Sequence, residues 1–198
     1  MLSCTVCGSA NTKQYIPDIT SIYSDRHYAL TRCLDCLNIF TDPQPTPKEL
    51  DAIYTNAYQY KAHEVVDNEK KYRARKLSKY ICRHVGKRDV VLEFGCMYGH
   101  LLGELKSLGH KCIGVEIDSG AVSACNAQGI SVIRSSVEDF DAQGNQYDLI
   151  IMSHVLEHFR EPAAVLRKVR KMLSADGKVF LVVPNSDAYT TRLFGRFW

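Results

Sequence analysis

The chain has 198 residues, with 25 Lys plus Arg against 22 Asp plus Glu and a net charge of +3. That balance is too slight to imply nucleic-acid binding from net charge. There is no signal peptide and no apolar run long enough to span a bilayer, so a reducing cytoplasm is the expected setting for its eight cysteines.

The chain opens with two C-x2-C pairs, Cys4/Cys7 and Cys33/Cys36, separated by 25 residues. Each pair sets two thiolates on one turn, and two facing turns close a tetrahedron, the spacing of a structural zinc site. Gly8 and Asn38 suit the knuckle turns. The other cysteines, Cys82, Cys96, Cys112 and Cys125, are scattered through predicted core elements, which argues for Zn2+ over disulfides. A closed four-thiolate site has no open position for substrate, so the expected role is to staple a zinc ribbon over residues 1–42.

Residues 43–70 read as linker and N-terminal helices. Thr41-Asp42-Pro43-Gln44-Pro45-Thr46-Pro47 is a stiff, irregular stretch, because its prolines force their neighbours into extended conformations. Thr46-Pro47-Lys48-Glu49 is a capping box with proline at the first helical position, predicting a helix with Leu50, Ile53 and Tyr54 on one face. A longer helix is expected from about Val65 to Val85, with Val65, Tyr72, Leu77, Ile81 and Val85 toward a sheet. Residues 61–88 carry ten basic side chains against three acidic ones. The ordinary reading is a solvated helix face; the sharper one is a positive rim for an anionic substrate.

Residues 71–198 alternate apolar strands with helical segments. Val90 to Leu92 suit a buried parallel strand, which ends in Glu93 and leads through Phe94 into Gly95-Cys96-Met97-Tyr98-Gly99. A second strand ends in Glu116-Ile117-Asp118. Strand, tight glycine loop, helix and acid-tipped strand make a βαβ unit that grips a nucleoside, with Glu116 placed to accept ribose hydroxyls. The spacing is G-x-x-x-G rather than G-x-G-x-x-G, and Glu93 would repel a pyrophosphate and suit a cation. Further strands are expected at Ile130 to Ile133, Tyr147 to Met152 and Gly177 to Asn185, the last entered through a turn at Ser174 to Gly177. Ser135 to Phe140 forms an acidic loop after the third. Ser153-His154-Val155-Leu156-Glu157-His158 follows the fourth, where a helix would put His154, Glu157 and His158 on one face.

From about Tyr72 to Asn185 these motifs, taken in order, resemble the class I S-adenosylmethionine-dependent methyltransferases. Glu93-Phe94-Gly95-Cys96-Met97-Tyr98-Gly99 resembles their first motif, with Met97 where the central glycine usually stands. The resemblance implies a doubly wound α/β sheet of strand order 3-2-1-4-5, preceded by the ribbon. It also implies cofactor binding by Glu93, Gly95, Cys96, Gly99, Glu116, Ile117, Val137, Glu138 and Ser153, with Val137 and Glu138 at the adenine. His154 and His158 are candidate bases and Glu157 completes the catalytic set. One subgroup binds a divalent metal through E-x-x-E-H here; Glu157 and His158 match, and His154 replaces the first glutamate. Family sheets have seven strands, so a chain ending at Trp198 looks truncated before strands 6 and 7, with a strand-5 edge left to a partner or to self-association.

The cysteine ribbon, Asp42-Pro43 and this core together resemble bacterial zinc-ribbon-fused methyltransferases that act on sugars. A nucleotide-linked sugar or glycan precursor, methylated on carbon or oxygen, is the expected acceptor. No Asn/Asp-Pro-Pro-Tyr/Phe follows the fourth strand, which points away from an exocyclic base amine. An rRNA methyltransferase with a zinc module is the alternative enzyme, and a non-catalytic S-adenosylmethionine-binding or interaction module the alternative outside enzymes.

Overall fold

The structure is a computed structural model that describes residues 3–20, 26–50, 52, 65–86, 89–186 and 188. It divides into two compact units.

The first unit carries strands β1 (Thr12–Thr20), β2 (His27–Cys33) and β3 (Ile39–Asp42) in an antiparallel sheet of order β1-β2-β3. Among its described residues the buried apolar cluster is Cys4, Cys33 and Phe40, far less apolar surface than a domain needs to hold itself together. Thr41 and Asp42 extend β3 opposite Leu30 and Ala29, so the irregular stretch starts later than the proline pattern suggested, at Pro43. The capping box forms: the Glu49 carboxylate accepts the Thr46 N–H at 2.6 Å and Thr46 Oγ1 accepts the Glu49 N–H at 3.3 Å. Those contacts, with an ion pair to Arg26, hold the Glu49 carboxyl down at about 2. Ile53 and Tyr54 lie outside the described residues.

The second unit is a parallel sheet with helices. Its elements are α1 (Val65–Ile81), β4 (Val90–Phe94), α2 (His100–Ser107), β5 (Lys111–Glu116), α3 (Ser119–Ala127), β6 (Val132–Arg134), β7 (Tyr147–Ser153), α4 (Pro162–Met172) and β8 (Leu173–Val182). The strand order β6-β5-β4-β7-β8 is the 3-2-1-4-5 arrangement expected from the sequence, and all four pairings are parallel. The central strands β4 and β7 are buried on both faces, with Val91, Leu92, Phe94, Ile150, Ile151 and Met152 at 0% exposure, which is why they read as unbroken apolar runs.

On one side Leu92, Phe94, Ile150 and Met152 meet Val165, Val169 and Met172 of α4, an i, i+4, i+7 stripe. On the other, Val91, Leu149 and Ile151 meet Ala74 and Ile81 of α1 and Leu101 and Leu105 of α2. The buried face of α1 therefore runs through Ala74, Ser78 and Ile81, small residues at two of three places. Tyr72 is 58% exposed, and Lys76 lies 4.7 Å over its ring, so Tyr72 covers a charged side chain rather than the sheet. Ser174 to Gly177 lie inside β8 as an irregularity, where pairing jumps from Tyr147↔Leu173 to Leu149↔Lys178. Among the described residues no helix is long and apolar enough to cross a membrane.

Candidate functional site

Parallel strands place their carboxyl ends on one rim, and in a doubly wound sheet the crevice opens where the strand order reverses. Here that point lies between β4 and β7, which flank the reversal and pair directly.

Glu93 stands one residue before the end of β4. It is 5% exposed and its Oε2 is buried without a hydrogen-bond partner. Burial, and then the nearby Glu116 carboxylate, push its carboxyl group up to about 8. An acid in that condition stays protonated near neutrality until a cation or donor arrives. The loop after it turns on two left-handed glycines, Gly95 (φ 66°) and Gly99 (φ 69°). A Cβ on Gly95 would sit 2.5 Å from Val155 Cγ2, so the loop passes tight against the segment that follows β7. Gly99 also caps α2. Between them Cys96 is 6% exposed, and its thiol is pushed up by burial first and by Glu93 next, which keeps it protonated and inert.

Glu116 ends β5 with 2% exposure. Its Oε1 accepts the N–H groups of Ile117 and Asp118 at 2.8 and 3.1 Å, and its Oε2 accepts the Met97 N–H at 2.9 Å. These three contacts tie the carboxylate to the backbone of the glycine loop and of the turn that follows β5. Asp118 accepts the Ala121 N–H at 2.6 Å and caps α3. Ile117, 43% exposed, offers apolar surface beside them.

After β6, Ser136 and Asp139 bond to each other and close a turn. Val137, 7% exposed, belongs to the core beside Phe94 and Met152, while Glu138 faces solvent. The acidic loop thus presents the Glu138 carboxylate outward and uses Val137 as an anchor.

Ser153 is the last residue of β7, and the His154 N–H reaches the Val182 carbonyl of β8 at 2.8 Å. The expected helix is not there. His154 takes a left-handed φ of 55°, Leu156–His158 make a single 3-10 turn, and α4 starts only at Pro162. His154, Glu157 and His158 therefore do not share a helical face. What forms is a pair, His154 Nδ1 and Glu157 Oε1 at 3.4 Å, with side chains 60% and 23% exposed. His158 is exposed. Among the described residues these three do not assemble as a metal-holding group.

The four cysteines of the first unit do assemble. All four sulfurs lie within 4.8 Å of one another, with Cys4 to Cys36 at 3.5 Å and Cys7 to Cys33 at 3.6 Å. A metal bonded to four thiolates at about 2.3 Å needs sulfur edges of about 3.8 Å, so the set is sized for one ion. Each knuckle closes alike: the Gly8 N–H returns to the Cys4 carbonyl at 2.9 Å and the Leu37 N–H to the Cys33 carbonyl at 3.1 Å. The left-handed residues are Gly8 (φ 75°) and Leu37 (φ 64°), so Leu37 holds the place the sequence suggested for Asn38. The Asn38 amide instead points at Thr5 Oγ1, 3.4 Å away.

A cavity of about 230 Å³ between Val85, Asp89, Asp148, Ser174 and Lys178 opens at the opposite, amino-terminal end of the strands. Asp148 there already accepts the Val90 N–H and the Ser174 hydroxyl.

The family described as "Methyltransferase domain" matches residues 66–198. A ubiquinone biosynthesis O-methyltransferase from Xanthomonas oryzae pv. oryzae (strain PXO99A) is 29% identical over 102 residues, 48% of this chain and 43% of that protein. One from Aromatoleum aromaticum (strain DSM 19018 / LMG 30748 / EbN1) is 26% identical over 119 residues, 56% and 50% of the two chains. The chain spans about half the length of the curated relatives it matches. Among solved structures, the plantazolicin methyltransferase BpumL in complex with a monoazolic desmethylPZN analog and SAH has a TM-score of 0.59 at 19% identity, covering 73% of this chain and 60% of that one. Coclaurine N-methyltransferase has a TM-score of 0.50 at 19% identity, covering 55% and 35%. At such identity the likeness shows the fold.

Proposed function

Because the chain belongs to the methyltransferase-domain family, we propose that it moves the methyl group of S-adenosylmethionine to an oxygen or carbon of a sugar, as a nucleotide-linked sugar or glycan precursor. The observation that carries this reading is Glu93, a buried acid whose Oε2 has no partner, at the carboxyl end of β4 against the glycine loop. Such a group is costly unless a cationic ligand completes it. When bound, S-adenosylmethionine supplies an electrophilic methyl carbon on a sulfonium that leaves as a neutral thioether.

The chain's own residues then bind and orient. Glu93 takes the positive end of the ligand, Gly95, Cys96 and Gly99 shape the loop, and Ile117 offers a face to the base. Glu138 and Ser153 flank the remaining rim. Glu116 acts first by holding the loop and has one lone-pair position left for a ribose hydroxyl. Glu157 beside His154 Nδ1 favours the tautomer that leaves Nε2 to accept the acceptor's proton. The four cysteines hold a structural Zn2+ and take no part in transfer.

The curated relatives named above are O-methyltransferases, which supports oxygen as the receiving atom. The cysteine ribbon with Asp42-Pro43 supports a sugar. The rRNA alternative draws on the basic residues of α1, but Arg73 and Arg75 are paired with Glu69 and Glu104, which weighs against it.

Calorimetry of the purified chain with S-adenosylmethionine and its demethylated product tests the reading, followed by mass spectrometry of a nucleotide-sugar panel. Binding of both ligands and one added methyl on a sugar are expected. Failure to bind either ligand sinks the proposal, and steeply salt-dependent RNA binding would favour the alternative.

A further inference from the structure

Met97 stands where the first motif of this family usually has a glycine, and its backbone is left-handed at φ 49°. That region is disfavoured for a residue with a Cβ, so something must hold it there. Two contacts do. The Met97 N–H donates to Glu116 Oε2 at 2.9 Å, and the Met97 carbonyl accepts the thiol of Cys125 at 3.3 Å. Cys125 lies on α3 at 0% exposure. It is pressed so close to the loop that a Cβ on Gly99 would come within 3.0 Å of its sulfur. Glu116 is itself fixed by the Ile117 and Asp118 N–H groups.

We propose that Cys125 is a positioning residue: with Glu116 it clamps the Met97 peptide from both sides, replacing the freedom of the missing glycine and setting the loop that receives S-adenosylmethionine. The proposal rests on the methyltransferase reading for its ligand but not for its geometry. Two features make the thiol fit for the task. It is sealed from water, so even a weak S–H donor meets no competitor for the carbonyl. Burial, and then the carboxylates of Glu116 and Glu93, raise its pKa, which keeps the proton on sulfur where the bond needs it.

The experiment compares the parent chain with C125A, C125S, M97G and M97G/C125A. Cofactor affinity is read by calorimetry and amide exchange of residues 96–99 is read on ligand-free protein. C125A is expected to weaken binding of S-adenosylmethionine and its product by roughly 3- to 10-fold, the worth of one buried hydrogen bond, and to speed exchange in the loop. C125S keeps a donor and stays within about twofold of the parent. In the M97G background, where no strain has to be held, C125A changes affinity by less than about twofold. Equal losses from C125A in both backgrounds, or a C125S chain as impaired as C125A, would overturn the clamp and leave Cys125 a packing residue. A parent chain that binds neither ligand refutes the methyltransferase reading, and exchange without ligand still decides the clamp.

Discussion

Glu93 and Glu116 lie at the carboxyl ends of neighbouring parallel strands, 5% and 2% exposed, yet only Glu116 has its charge met by hydrogen bonds from three backbone N–H groups. Glu93 keeps one oxygen without a partner and rises to about 8.

Folded Glu93 therefore holds a proton that the unfolded chain gives up near its ordinary value of 4.5. Between these values the native state binds more protons, so stability falls as pH rises and levels off above the folded pKa. The ligand-free sheet unit is expected to lose roughly 10 °C in melting temperature between pH 5 and pH 8.5, in thermal scans at constant ionic strength. E93Q should flatten that slope. An unchanged slope in E93Q would assign the pH dependence to other groups.

Cofactor binding should release a proton for the same reason, because a cationic ligand favours the ionised Glu93. Calorimetry at pH 7 in buffers of different ionisation enthalpy should give up to about one proton released per ligand bound, and none in E93Q. Identical heats across buffers in the parent chain would show that Glu93 does not change state.

His154 is 60% exposed at its side chain and left-handed, so its chemistry and its backbone must be separated. H154N retains a residue type tolerant of that conformation. It is expected to lower kcat about a hundredfold or more while leaving cofactor affinity within twofold. E157Q, which weakens the acceptor beside Nδ1, should cost less, about tenfold in kcat. Full activity in H154N would remove the base from the mechanism.

The four-thiolate cluster should carry one equivalent of zinc by elemental analysis. Removal with a strong chelator is expected to unfold β1 to β3, whose buried apolar cluster among the described residues is Cys4, Cys33 and Phe40, while the parallel sheet keeps its melting transition. C33S should do the same without chelator.

Leu37 is 64% exposed with φ 64°, so its side chain packs little and its backbone is strained. L37G is expected to stabilise the knuckle by about 0.5–1 kcal/mol, read as slower zinc loss to a competing chelator. Faster loss would mean that Leu37 packs more usefully than its exposure indicates.

The strand order is legible because buried parallel strands are nearly pure apolar runs, and Val90 to Leu92 and Tyr147 to Met152 are among them. The glycine loop was legible because Gly95 and Gly99 answer a backbone need that no other residue meets cheaply. Where the reading failed, tertiary context had overruled local pattern. Spacing put His154, Glu157 and His158 on a helix, but Pro162 starts α4, and His154 is tied to Val182 in a conformation no helix contains. Tyr72 looked like a core residue by type, whereas small Ala74 and Ser78 let the helix approach the sheet. The sequence singles out Glu116 by its place at a strand end, but its three backbone partners come from Met97 and its own successors, contacts that exist only once the loop has folded over it.

The distribution of sulfur provides a chemical readout of both units. Cys7 and Cys36 are exposed, Cys82 and Cys112 intermediate, and Cys4, Cys33, Cys96 and Cys125 buried. An alkylating reagent would meet them in stages. Unfolding of the amino-terminal unit would expose Cys4 and Cys33, and Cys96 and Cys125 would become reactive only when the packing of α3 on the glycine loop gives way. The order in which thiols are labelled would therefore record which unit has come apart, with no dye or tag added.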